Sequence, residues 1–220
     1  MPDVVVVILA VVLLAAAGGA LALLRMPPAK LEATVQGVRA VEVRLAAGRV
    51  EIGEYDRSDA HVQLTVRRRP GLATPSVTRA GDLLRVDGRA STAVVRLKLP
   101  RRTGVRAEVR RGEISLWGSD GELSLVTETG PIAGRELAGD QVSARTRTGD
   151  VTLHFTGAPT AVTALSDAGN VTLVLPDERY DLDVETADPA AASVGMASEP
   201  GAGRRGRARS MSGRVPGQTA

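Results

Sequence analysis

The chain has 220 residues, 43% of them apolar, and a formal charge of +3, which allows one domain with appendages. It contains no cysteine, which excludes disulfides, thiolate metal sites, a cysteine nucleophile and a lipid-modified cysteine anchor. Its aromatic residues are Tyr55, Trp117, Phe155 and Tyr180, so the core has to come from Val, Leu, Ile and Ala, which suits narrow β-layers.

Val4 to Leu24 carries no charge, and its 21 residues are almost all Val, Leu, Ile, Ala and Gly. As a helix it spans about 31 Å, the thickness of a bilayer's hydrocarbon core, which predicts a transmembrane helix over 1–25. The other reading is a cleaved signal peptide with Ala20-Leu21-Ala22 as its cleavage site, against which stands the lack of a basic start. Asp3 is the charged side chain before the segment, and Arg25, Lys30, Arg39 and Arg44 follow it. The positive-inside rule therefore places the domain on the cytoplasmic side of a single-pass cell-membrane protein, with the extracytoplasmic side as the alternative.

Residues 26–34 read as a linker broken by Pro27-Pro28. A β-repeat domain is expected over 35–188. Val41, Val43 and Leu45 alternate up to Gly48, and Val50 and Ile52 follow. His61 to Arg69 reads as a strand ending at the Pro70-Gly71 turn, then a loop over 71–81. Leu83 to Val86 reads as a short strand before an Asp87-Gly88 turn, and Val94 to Leu99 alternates until Pro100. VVRLKLP (94–100) is similar to VTLVLP (171–176), and new strands begin near Val105 and Leu182.

Between them lies a repeat. VRAEVRRGEISL, LSLVTETGPIAG, VSARTRTGDVTL and VTALSDAGNVTL align on Gly112, Gly130, Gly149 and Gly169, a period of 18 to 20 residues. Val105, Leu123, Val142 and Val162 stand seven before the glycine, and Ile114, Ile132, Val151 and Val171 two after it. Apolar residues two apart share one face of a strand, and glycine tolerates the positive φ of a corner. A unit this short cannot bury its apolar face alone, so stacking of units is expected: an all-β fold of the β-solenoid, β-helix-like type, or a rolled sheet. The alignment also stacks Arg110, Glu128, Arg147 and Asp167 in alternating sign. Residues 189–220 read as a low-complexity Ala/Gly/Arg tail, in which RARSMSGRV, 207–215, is either a degenerate last rung or no rung at all.

The stretches ARTRTGDVTL (144–153), ALSDAGNVTLVLP (164–176) and AEVRRGEISL (107–116), with the Leu-Pro strand ends and the N-terminal apolar segment, resemble a bacterial family. It is the "putative adhesin" family, domain of unknown function 4097, and the resemblance spans Val35 to Val184. It implies an all-β repeat fold, association with the membrane or envelope, and no established enzymatic activity. The chain departs from the family pattern at Pro131, where Asp or Asn is expected.

Chemistry is sparse. His61 and His154 are far apart, and His154 follows an inward Leu153, so it faces solvent. Asp140, Asp150 and Asn170 suit corners, because calcium solenoids use a denser Gly-Gly-x-Gly-x-Asp repeat. No G-x-S-x-G elbow is present. The arginines at 67–69, 101–102, 110–111 and 204–209 lack the interleaved aromatics or recognition helix of a nucleic-acid site and read as solvated. The C-terminal cluster could also touch anionic lipid from the cytoplasmic side. No catalytic, cofactor or metal residue is assigned and no nucleic acid is expected. The expectation is a membrane-anchored, non-enzymatic, adhesin-like structural or interaction protein with a protein or glycan partner. The alternatives are a polysaccharide-acting β-helix enzyme and a regulatory partner in envelope-stress signalling.

Overall fold

The computed structural model describes residues 29–66, 75–186, 192–194, 198–211 and 215–219, so the expected membrane helix lies outside the described residues. Among the described residues no helix is long and apolar enough to cross a membrane.

The described chain is all β. In order it forms β1 (Ala29–Gln36), β2 (Ala40–Tyr55), β3 (Asp59–Val66), β4 (Ser76–Ala80), β5 (Leu83–Pro100) and β6 (Gly104–Trp117). Then come β7 (Leu123–Thr129), β8 (Ile132–Leu137), β9 (Gln141–Thr148), β10 (Val151–Phe155), β11 (Ala161–Ala168) and β12 (Val171–Leu175). The last are β13 (Asp181–Thr186), β14 (Ala192–Val194), β15 (Arg205–Ser210) and β16 (Val215–Thr219).

Three long strands, β5, β2 and β6, lie parallel side by side. Beyond β6 the sheet divides into two parallel rows: β6-β7-β9-β11-β15-β13 before the corner, and β6-β8-β10-β12-β16-β14 after it. The register is the one the glycine alignment predicts. Val105 pairs with Leu123, Leu123 with Val142 and Val142 with Val162. Ile114 pairs with Ile132, Ile132 with Val151 and Val151 with Val171. The buried members of both rows join one apolar cluster of Val, Leu, Ile and Ala, with Phe155 and Tyr180.

The corners form a glycine column. Gly112, Gly130, Gly149 and Gly169 have φ between 135° and 151°. A Cβ on each would stand 1.7 to 2.3 Å from the carbonyl oxygen of the preceding corner glycine, starting from Gly48. No other residue fits both the backbone angle and the approach.

The structure corrects several boundaries. The 26–34 linker is cut short by β1, which begins at Ala29 and pairs antiparallel with β3, itself antiparallel to β5. The 71–81 loop contains β4, which also pairs antiparallel with β5. These strands cover the edge of β5 that would otherwise stay open to foreign strands. Asp87-Gly88 is no turn: β5 runs through it, with Asp87 opposite Arg44 and Gly88 opposite Leu45. Local sequence favoured a turn, and pairing with β2 overrides it.

At Gly134 the inward side chain is missing from its rung. A register shift follows, Glu136 takes φ 54°, and the fully buried Leu137 turns in to fill the gap. The added residue is a β-bulge.

The final strands enter out of sequence order. β15 lies between β11 and β13, so the chain passes over one place and returns to fill it. Arg205, Arg207 and Arg209 thereby stand opposite Asp181, Asp183 and Glu185. Arg207 reaches Asp183 at 3.3 Å and Glu185 at 3.1 Å. Part of the stretch read as a degenerate last rung or no rung is thus strand in that register, paired on both sides, and its arginines, read as solvated, meet carboxylates that sequence spacing could not show.

Candidate functional site

Gly53 in β2 stands between Lys98 of β5 and Trp117 of β6. With no side chain there, the ring of Tyr55 folds back over the backbone: a Cβ on Gly53 would lie 2.8 Å from Tyr55 Cε2. The Tyr55 and Trp117 rings lie 5.8 Å apart between centroids, tilted by 46°. Lys98 Nζ stands 5.9 Å from the Tyr55 centroid. On the far side Arg135 of β8 is the cross-strand partner of Trp117. The result is a row across four strands: Lys98, Tyr55, Trp117, Arg135. Among the described residues the two rings are among the few large hydrophobic side chains left exposed, Tyr55 at 39% and Trp117 at 45%.

Beside this row runs a second, Arg96, Glu51, Ser115 and Ala133. Its small members on β6 and β8 leave a groove of about 520 Å³. Arg96 Nε donates to Glu51 at 2.6 Å. Glu113, which also lines the groove, is held by Arg49 at 2.8 Å. Exposed aromatic faces, cations and carboxylates therefore meet over one shallow depression, an arrangement suited to holding a ligand with rings and many hydrogen-bonding groups.

The shelf is anchored from beneath. Glu54 points inward and is 3% exposed. It accepts hydrogen bonds from the Ser119 hydroxyl at 2.7 Å and from the backbone N–H groups of Asp120 at 3.0 Å and Arg102 at 3.2 Å. Burial, and then the Asp120 carboxyl beside it, push Glu54 up to about 7. Burial works against ionised Asp120 as well, but hydrogen bonds from Glu54 and the Arg102 N–H, with Arg101 nearby, hold it below its ordinary value. Together Glu54 and Asp120 form an acceptor pair for the Arg102 N–H. It ties the Pro100–Thr103 turn, with Arg102 at φ 60°, to the turn that follows Trp117.

The residues singled out from sequence do not gather here. His61 meets Thr34 at 3.3 Å across β3 and β1. His154 is exposed on β10, opposite Val174. The Asp150 carboxylate accepts from the Asn170 N–H at 2.7 Å, one corner supporting the next. Among the described residues no cluster of three or more ligating side chains is placed to hold a metal ion. Arg110 meets Glu128 at 3.5 Å, and their neighbours pair in the register that carries the column on to Arg147 and Asp167.

Two features escaped the sequence reading. One is the aromatic row, because Tyr55 and Trp117 are 62 positions apart and meet only through the β2–β6 register. The other is a buried hydroxyl column three residues before the corner in the rungs after Gly112. Thr146 donates to Gly130 O at 3.0 Å, Ser166 to Gly149 O at 2.8 Å and Ser210 to Gly169 O at 2.7 Å. The recurring Ser or Thr at that spacing was the available signal.

No family model matches the sequence, and no curated protein does. In fold the chain is similar to a "putative cell adhesion protein" of Clostridium sporogenes, at TM-score 0.51 and 10% identity over 88% of this chain and 100% of that one. It is also similar to a "putative adhesin" of Bacteroides fragilis (TM-score 0.48, 12% identity, 89% and 98% covered). Another is a "putative adhesin" of Parabacteroides merdae (TM-score 0.31, 10% identity, 88% and 94% covered). At such identity the first of these is a likeness of fold.

Proposed function

We propose that this chain is a membrane-anchored, non-enzymatic interaction protein of the adhesin-like type, related to domain of unknown function 4097. Its two parallel rows are the two sides of a β-solenoid, and Val4 to Leu24 is its single-pass anchor. The observation that carries this reading is the groove over Tyr55 and Trp117, a recognition surface on the outward face of a rigid ladder. The likeness of fold to the "putative cell adhesion protein" supports the architecture.

A polysaccharide-acting enzyme is the second reading, because Glu51 and Glu113 share that groove. Two-carboxylate glycoside hydrolysis needs one acid to donate a proton. Each of these carboxylates already holds an arginine, so binding without turnover fits the groove better.

The flanking charges favour the cytoplasmic side, and an adhesive role requires the outer one. The full chain, expressed in a bacterial membrane, should resist alkaline carbonate extraction, and deletion of 4–24 should release it. A C-terminal alkaline phosphatase fusion that is active places the ladder outside, and an inactive one removes the adhesive reading.

A further inference from the structure

We propose that the groove over Tyr55 and Trp117 binds an acidic saccharide, a sugar chain whose rings carry carboxylates. This deepens the interaction reading above and rests on it.

The aromatic faces come first. A sugar ring presents the C–H bonds of one side to an aromatic face, whose quadrupole is negative. Tyr55 and Trp117 offer two such faces side by side at the rim of the groove. The charges decide which sugar. Five charged side chains line the groove: Arg96, Lys98 and Arg135 against Glu51 and Glu113. Arg96 is engaged with Glu51. Lys98 and Arg135 have no ion pair among the described residues, and they flank the rings from either end. Three strand steps separate them, about 14 Å at the usual strand spacing. A chain lying across the strands would set its rings on the aromatics and its carboxylates on the two cations. Arginine suits the planar carboxylate best, because its fork donates two parallel hydrogen bonds.

Glu51 and Glu113 argue against a single-stranded nucleic acid, the other ligand that stacks on aromatics. A nucleic acid brings a phosphate at every step and few hydroxyls, whereas each ring of an acidic sugar brings hydroxyls that can donate to Glu51 and Glu113 while its carboxylates reach Lys98 and Arg135. Ser115 and Ala133 keep the floor low enough for a ring to settle.

The test is calorimetry on the full chain in detergent micelles. The probes are a tetrasaccharide of galacturonic acid, a neutral glucose tetrasaccharide and a single-stranded oligonucleotide. The acidic sugar should bind at least about tenfold more tightly than the neutral one, a difference that charge-assisted contacts can supply. Trp117→Ala and Arg135→Gln should each weaken binding by about fivefold or more. Arg135→Gln guards against misfolding, since that side chain is exposed and has no described partner. Equal affinity for both sugars, tighter binding of the oligonucleotide, unaltered affinity in Arg135→Gln, or no sugar binding at all would overturn the proposal. Each leaves the interaction reading standing as long as the chain remains membrane-bound with an active phosphatase fusion.

Discussion

The Thr146 hydroxyl donates to the Gly130 carbonyl oxygen at 3.0 Å, so a buried side chain of one rung closes the corner of the rung before it. Val109, next to Leu45, precedes the hydroxyls in this column, and Thr127, Thr146, Ser166 and Ser210 continue it. Val109 shows that the site accepts a branched apolar side chain. Thr146→Val therefore keeps the shape and removes the hydrogen bond, and should cost about 1 kcal/mol in urea unfolding. Thr127→Val should cost less, because its hydroxyl stands 3.5 Å from Gly112 O.

The glycine corners permit a sharper contrast. Gly130 has φ 135° and would place a Cβ 1.9 Å from Gly112 O. Gly81 has φ 63° with nothing within 4 Å of its Cβ. Gly81→Ala should cost about 1 kcal/mol, the strain of the left-handed region alone. Gly130→Ala should cost upwards of about 3 kcal/mol, because the backbone of two rungs has to move apart. Denaturant midpoints of the two variants give the comparison.

Charge along the outward face should act on register more than on stability. Arg147 stands in the column with Glu128 and Asp167, whereas Arg145 is flanked by Val126 and Leu165. Reversal to Glu at 147 should lower stability by up to about 1 kcal/mol, and reversal at 145 by less. Equal losses would remove the column's role while leaving the ladder intact.

Much of this was legible in the sequence. Repeat period, strand register across the four glycines and the charge column follow from spacing alone, because parallel stacking places like offsets side by side. The capping strands β1 and β4 were not legible, since their pairing is antiparallel and outside the repeat. Nor was the return of β15 into the gap before β13, which rests on Arg207 meeting Asp183 across a long connection. The groove stayed hidden for a similar reason: a glycine at 53 signals flexibility in sequence, yet in space it makes room for the Tyr55 ring.

Stability should depend on pH through Glu54. Its folded value of about 7 stands above the ordinary 4.5, so across that window the folded state binds more protons than the unfolded one. Stability is then highest at the acid end, falls as pH rises from about 4.5 to about 7, and levels off above that. Asp120 works in the opposite sense, losing its contribution as pH falls below its ordinary value of 3.8. Unfolding midpoints measured from pH 5 to 8 should decline for the native chain. Glu54→Gln should flatten that decline, since the amide has no proton to lose.

Trp117 is the one tryptophan of the chain, so its fluorescence reports on the groove without further labelling. We expect the full chain in micelles, titrated with the galacturonic acid tetrasaccharide, to shift its emission to shorter wavelength and to lose accessibility to acrylamide as the sugar covers the ring. Saturable binding by calorimetry with emission and quenching unchanged would put the ligand elsewhere and contradict the role assigned to the Tyr55–Trp117 shelf.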